Sequence, residues 1–313
     1  MAKTRLQFGV LAMGQASFPD LLSVWQAAES AGFDSAWVVD HFSPPTGPGG
    51  SPFLECWTTL TALAAKTSGI RLGTMTLANS YRHPALVAKM AATLDVISGG
   101  RLELGIGAGW LESEYRAYGF PFPSAAQRIA QMSESVQMMK ALWTDRLVSF
   151  QGKHFTLVEA SCEPKPVQKP HPPIWVGGSG EKLTMRVVAE RADGWNVTVM
   201  PEDEFKRKLD ILREHCAAVG RDPDSIRKSM LMTTLISDDK AKLTEMAAAM
   251  AARRGVAVEQ LAQRTLIGAP DEVAARLKAY ADLGVDLFIF GLGQPSPVNA
   301  LELLAKRVIN TLR

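Results

Sequence analysis

The sequence predicts an α/β chain closed into a (β/α)8 barrel of the TIM type, as one domain over residues 1–313. Three observations carry that expectation. Apolar strand-like runs alternate with helix-like segments along nearly the whole chain, in about eight β/α units. The runs are too continuously apolar for a sheet wet on one face, as in SAWVV (35–39) and DLFIFG (286–291). The first strand is followed by LAMGQASFPD (11–20), which lacks the GxGxxG that opens a doubly wound sheet.

The elements follow in order. Arg5 to Leu11 reads as the first strand. Pro19 to Ala31 then carries Leu21, Leu22, Trp25 and Ala28 at helical spacing, with proline near its start and Gly32 past its end. Ser35 to Val39 is the second strand and Phe53 to Thr67 the second helix; Ile70 to Thr76 is the third strand. The third helix, Pro84 to Ile97, is stopped by Gly99 and Gly100, and Arg101 to Ile106 runs as a fourth strand into GAGW. A helix over Ala125 to Trp143 precedes SFQGKHFTL, whose central Gln-Gly suits a hairpin turn. CEPKPVQKPHPPI is an extended surface connection, because proline removes ladder donors. Ile174 to Val176 restarts the strands, GGSGEKLT opens a helix, and Trp195 to Val199 is the sixth strand. A helix over Phe205 to Val219, a strand over Ser229 to Ile236 and a helix over Lys240 to Arg254 come next. The chain closes with a helix over Asp271 to Leu283, DLFIFG, and a helix over Asn299 to Leu312. The residues left over, 111–172 after strand four and 238–262 around strand seven, are insertions.

Composition narrows the function. At 47% hydrophobic and 21% charged, the chain suits a soluble globular protein, and a net charge of +2 gives no case for nucleic acid or an anionic membrane. No stretch approaches a membrane span or a secretory signal. Three cysteines without a CxxC point to reduced thiols and a cytoplasmic protein. The five histidines share no ligand spacing, so no metal site is expected. His83 reads as a helix cap, and His154 and His171 as surface residues.

In a TIM barrel the site lies at the C-terminal ends of the strands. Asp40 and His41 stand where strand two opens. TLANSYRHP (76–84) follows strand three and offers Asn79 and Tyr81. GIGAGWLESEY (105–115) follows strand four, where Gly107 and Gly109 let backbone approach a flat ligand and Trp110 offers a stacking face. After strand five, the small residues Gly177, Gly178, Ser179 and Gly180 leave backbone N–H groups free for a phosphate. Asn196 ends strand six at the same mouth. Glu112 and Glu114 fit the solvated first turn of a helix, with Glu114 also a candidate acid.

At these residues the sequence resembles the bacterial luciferase-like monooxygenase superfamily, and is most similar to its branch using the deazaflavin coenzyme F420. The carrying segments are WVVDHF, RLGTMTLANSYRHPALVAKMAATLDVISGGRLELGIGAGWLESEY, PKPVQKPHPPIWVGGSGEKLTMRVVAERADGWN and GAPDEVAARLKAYADLGVDLFIFG. The resemblance implies an enzyme transferring hydride between F420 and a small organic substrate, a homodimer, with a reductase as a further partner where reduced cofactor must be supplied. It implies a non-proline cis peptide between Met75 and Asn79, so that Met75 and Thr76 back the ring. Asp40 would orient His41 or contact the ring or backbone, and the proton would come from His41, Glu114 or water. Members of this branch that oxidise sugar phosphates carry a glutamate where this chain has Trp110, which argues against that activity. Two rivals stand beside this reading: an FMN-dependent two-component monooxygenase on the same fold, and a non-catalytic flavin carrier.

Overall fold

The computed structural model describes residues 5–12, 17–45, 51–292 and 298–313. Eight parallel strands close into a barrel: β1 (Gln7–Leu11), β2 (Ser35–Val38), β3 (Arg71–Thr74), β4 (Leu102–Gly107), β5 (Ile174–Gly177), β6 (Gly194–Thr198), β7 (Arg227–Ile236) and β8 (Leu287–Leu292). Each pairs with the next, and β8 returns to β1 through Gln7↔Leu287 to Leu11↔Gly291.

Alternation sorts the side chains between two cores. Phe8 and Val10 point to the helix layer, while Leu11, Trp37, Trp175 and Ile289 fill the barrel interior. Each interior tryptophan lies across from a glycine on the neighbouring strand, Trp37↔Gly73 and Trp175↔Gly194. A Cβ added at Gly73 would stand 2.0 Å from the Trp37 ring, and one at Gly194 2.2 Å from that of Trp175. The two indoles meet edge to face at 6.3 Å. Both N–H groups are satisfied, Trp37 donating to Ser35 Oγ at 2.9 Å and Trp175 to Glu103 at 2.6 Å. Side chains therefore fill the floor of the barrel.

Two differences from the sequence expectation bear on the site. The second helix begins at Cys56 rather than Phe53, because Glu55 caps it by accepting from the N–H groups of Trp57 and Thr58 at 3.0 and 2.7 Å. The third strand stops at Thr74 rather than Thr76: the Met75–Thr76 peptide is cis, and the chain resumes as Leu77–Ala78 beside Ile106 and Gly107 of β4. A short helix does begin at Glu112, over Glu112–Ala117, while the helix Val258–Gln263 and the strand Leu266–Gly268 beside β7 escape the sequence reading. Both of the latter are too short for their periodicity to register. The hairpin forms from Val148–Gln151 and Thr156–Ala160. His83 caps its helix as expected, accepting from Ala85 N–H at 3.3 Å. His171 is not a surface residue: its side chain is mostly buried, its ring 5.9 Å from Trp143. The final helix runs from Val298, with a π-helical stretch at Ala305–Ile309. Among the described residues no helix is long and apolar enough to cross a membrane, and no cluster of three or more His, Cys, Asp or Glu side chains could hold a metal.

Candidate active site

A cavity of about 430 Å³ opens at the C-terminal ends of β2 to β6, bounded by His41, Thr76, Gly107, Trp110, Ser179 and Asn196 among others. The strand tips bearing Asp40–His41, Gly107 and Gly178 thus meet around one space.

Asp40 ties the tip of β2 to the segment that follows β3. Arg82 forks onto its carboxylate at 2.8 and 3.0 Å, and Ala78 N–H donates at 2.9 Å. Arg82 also bonds Glu55, the cap of the second helix. Burial pushes the Asp40 carboxyl above its ordinary range, with Arg82 and Ala78 opposing. Asp40 does not orient His41: its contacts run to Arg82 and to backbone, although it reaches the cavity wall.

Glu114 holds His41 instead. Although it lies in the first turn of a short helix, it is 4% exposed, so the solvated reading of this residue is wrong. One carboxylate oxygen accepts from the N–H groups of Phe42 (2.5 Å) and Ser43 (3.2 Å). The other accepts from His41 Nδ1 and from the Tyr81 hydroxyl, each at 2.8 Å. Burial alone would raise the carboxyl, but donation by His41, Phe42 and Tyr81 outweighs it and holds Glu114 below the usual carboxylate range. A carboxylate only accepts, so Nδ1 carries the hydrogen and Nε2 is left for the cavity. Burial, then the adjoining Glu114 carboxylate, push the Tyr81 phenol well up, so it stays a donor. Glu112, by contrast, is exposed and paired with Arg116 at 2.7 Å.

Thr76, just after the cis bond, projects between β4 and β5. A Cβ at Gly107 would lie 2.6 Å from Thr76 Oγ1, and one at Gly177 would lie 2.8 Å from its Cγ2. These glycines make room for Thr76 before they make room for a ligand. Gly109 turns at φ +78°, where a Cβ would meet the Tyr115 hydroxyl at 1.8 Å. Trp110 beyond it is 65% exposed and stands edge-on to the His41 ring at 5.8 Å, at the mouth rather than in the core. A cluster of rings from Phe42, Tyr81, Tyr115 and Phe120 backs this side.

Gly177, Gly178 and Ser179 border the cavity where β5 turns toward the helix Thr184–Arg191. Asn196 is on the wall with Nδ2 donating to Ser229 Oγ at 2.8 Å. Three expected residues are off the wall. Asn79 is buried in a separate crevice with Leu77 and Met139. Gly180 packs under the Thr184 side chain, 3.0 Å from a Cβ built on it. Glu114 sits behind His41 and Tyr81. The sequence reading also missed wall residues, Thr184 and above all Arg128. Arg128 lies one turn into the helix Ala125–Thr144, which starts at the mouth with a capping box between Ser124 and Gln127.

Comparison with known proteins agrees with this geometry. A family model described as luciferase-like monooxygenase matches residues 2–263. An F420-dependent glucose-6-phosphate dehydrogenase of Nocardia farcinica is 30% identical over 312 residues, with 91% of each chain covered. An F420-dependent secondary alcohol dehydrogenase, solved with an F420-acetone adduct, superposes with a TM-score of 0.87 at 23% identity over 99% of both chains. The coenzyme F420 dependent tetrahydromethanopterin reductase of Methanopyrus kandleri gives 0.82 at 22%, over 99% of this chain and 100% of that one.

Proposed function

The chain belongs to the luciferase-like monooxygenase family, and from that premise we propose that it is an F420-dependent oxidoreductase passing hydride between the deazaflavin and a small, uncharged organic substrate. The observation that carries the reading is the Glu114–His41 pair at 2.8 Å, with a carboxylate behind an imidazole on the wall of an open cavity. The similarity to dehydrogenases named for F420 supplies the cofactor.

The cavity suits such a cofactor. Its volume falls within the range of about 300–1,000 Å³ typical of ligand pockets. Gly178 and Ser179 present backbone ahead of a helix N-terminus, and Thr76 stands across from them as a support for a planar ring. When bound, the deazaflavin supplies a carbon that accepts or delivers hydride. The chain's own residues handle the proton. In alcohol oxidation His41 Nε2 takes the hydroxyl proton as hydride leaves the adjacent carbon; in carbonyl reduction the imidazolium returns it. Glu114 fixes the tautomer and offsets the positive charge that forms on the ring. The aromatic wall and Trp110 exclude water and stack the substrate.

Among the cavity's described wall residues Arg128 is the one arginine or lysine. A sugar phosphate beside a phosphate-bearing cofactor calls for more cationic groups, so secondary alcohols and ketones suit this wall better than glucose 6-phosphate. The reading takes the enzyme as a cytoplasmic homodimer drawing reduced cofactor from a separate reductase; three buried free thiols fit a reducing compartment, and the exposed Leu86, Val96 and Ile97 offer an apolar helix face for self-association.

The test is separate fluorescence titration with F420 and FMN, followed by anaerobic turnover across alcohols, ketones and glucose 6-phosphate. Tighter F420 binding with turnover of uncharged substrates supports the proposal. Tighter FMN binding with oxygen-dependent product favours the monooxygenase, and binding without any turnover favours a carrier.

A further inference from the structure

We propose that Tyr81 governs how readily His41 takes a proton, because its hydroxyl shares one oxygen of Glu114 with His41 Nδ1. The inference rests on the reading of His41 given above and adds a positioning residue behind it.

Both hydrogen bonds to that oxygen are 2.8 Å long. The other carboxylate oxygen is taken by the Phe42 and Ser43 N–H groups, so Tyr81 and His41 draw on the same acceptor. A carboxylate that already accepts from a phenol is stabilised by it, and pulls less on the imidazole hydrogen. It is also a weaker counter-charge for an imidazolium. Three chain segments meet here, His41 after β2, Tyr81 after β3 and Glu114 after β4. Tyr81 does not supply the proton itself. Its hydroxyl is committed to Glu114, and burial, then that carboxylate, keep the phenol protonated.

The fold holds the phenol in register. Its ring packs on Phe42 at 4.7 Å, Tyr115 at 4.8 Å and Phe120 at 4.9 Å. The 3₁₀ turn Asn79–Tyr81 is pinned to Asp40 on either side, by Ala78 N–H and by Arg82. The other titratable groups nearby are Asp40 with Arg82 and Glu55, the buried Cys56 thiol beyond them, the Tyr115 phenol, Arg128 on the wall, and exposed Glu112 with Arg116. Replacing the Tyr81 hydroxyl by hydrogen alters none of these groups.

The experiment compares wild type and Tyr81→Phe by two readouts. One is the pH profile of kcat/KM for F420-dependent oxidation of an alcohol from the panel above. The other is the ¹⁵N NMR titration of the His41 ring in cofactor-free protein, its signal assigned among five histidines through His41→Gln. Without the hydroxyl, Glu114 becomes a stronger partner for the imidazolium, so His41 stays protonated to higher pH. The acid limb and the NMR midpoint should both rise by about 0.5–1 pH unit, a rate loss of about 3- to 10-fold below the limb. Above the limb kcat/KM should return close to wild type, which a merely structural loss would not allow. Tyr81→3-fluorotyrosine, a stronger donor of nearly the same shape, should move both readouts the opposite way, and it decides if the phenylalanine variant fails to fold. An unchanged midpoint in either variant, a fall in Tyr81→Phe, or a rate loss equal at every pH overturns the proposal. A wild type without turnover overturns the F420 reading instead, and the NMR titration then decides Tyr81 by itself.

Discussion

Replacing Glu114 by glutamine tests the site most sharply, because the two carboxylate oxygens serve different masters. One receives the backbone N–H groups of Phe42 and Ser43, the other His41 Nδ1 and the Tyr81 hydroxyl. Glutamine keeps the shape but offers one acceptor and one amide donor. With its oxygen toward the backbone, the amide faces Nδ1 and forces His41 into the tautomer whose Nε2 carries the hydrogen, so it cannot take a proton. Turned the other way, the amide confronts two backbone donors. A histidine in the wrong tautomer loses its general-base role, so kcat should fall by about 10²–10⁴. Cofactor affinity should hold, since Glu114 lies off the cavity wall.

Stability should fall too. Charge-assisted bonds contribute about 1.5–3 kcal/mol each against about 0.5–1.5 for neutral ones, so weakening the two bonds on one oxygen alone gives a loss of about 2–3 kcal/mol at pH 7. The sign with pH follows from the lowered carboxyl of the folded state. Its contribution is complete above the ordinary carboxylate value of about 4.3 and disappears as pH falls through the folded value. Urea denaturation of Glu114→Gln and wild type between pH 7 and pH 3 should show a gap that narrows on acidification, while hydride transfer is followed by cofactor absorbance. Wild-type kcat in the variant, or a gap indifferent to pH, would refute the assignment.

Three further outcomes are expected. His41→Ala should lower kcat by about 10²–10⁴ while leaving the dissociation constant of F420 nearly unchanged in a fluorescence titration. Arg82→Met strands the Asp40 carboxylate in a buried setting and should cost about 3–5 kcal/mol by chemical denaturation. Gly73→Ala drives a methyl into the Trp37 ring and should cost about 1–3 kcal/mol or more in the same assay, with the far-UV spectrum of the barrel retained.

The barrel was legible because strand and helix periodicities are long-range regularities of the chain, and strand ends in a parallel barrel converge by topology. Asp40, His41, Trp110 and Gly178 could thus be assigned to one mouth before any coordinate was known. Glu114 was misread as solvated, since a carboxylate in a first helical turn normally faces water; only the fold brings it within reach of Phe42 and Ser43, some seventy residues earlier in the chain. Asn79 shows the converse. It lies beside true wall residues in sequence, but the short 3₁₀ turn Asn79–Tyr81 rotates it into a separate crevice while Tyr81 faces the site. Arg128 was overlooked because a helix-borne arginine ordinarily faces solvent, and nothing local marks one that faces inward.

Thr76, Gly107 and Gly177 occupy three different strand ends, yet sterically they are one object. Neither glycine can gain a side chain unless residue 76 first becomes smaller, so mutational drift must move the three in concert or not at all. A library that randomises them one at a time will return mostly dead clones, whereas a joint one that shrinks position 76 opens a differently shaped ring bed to selection.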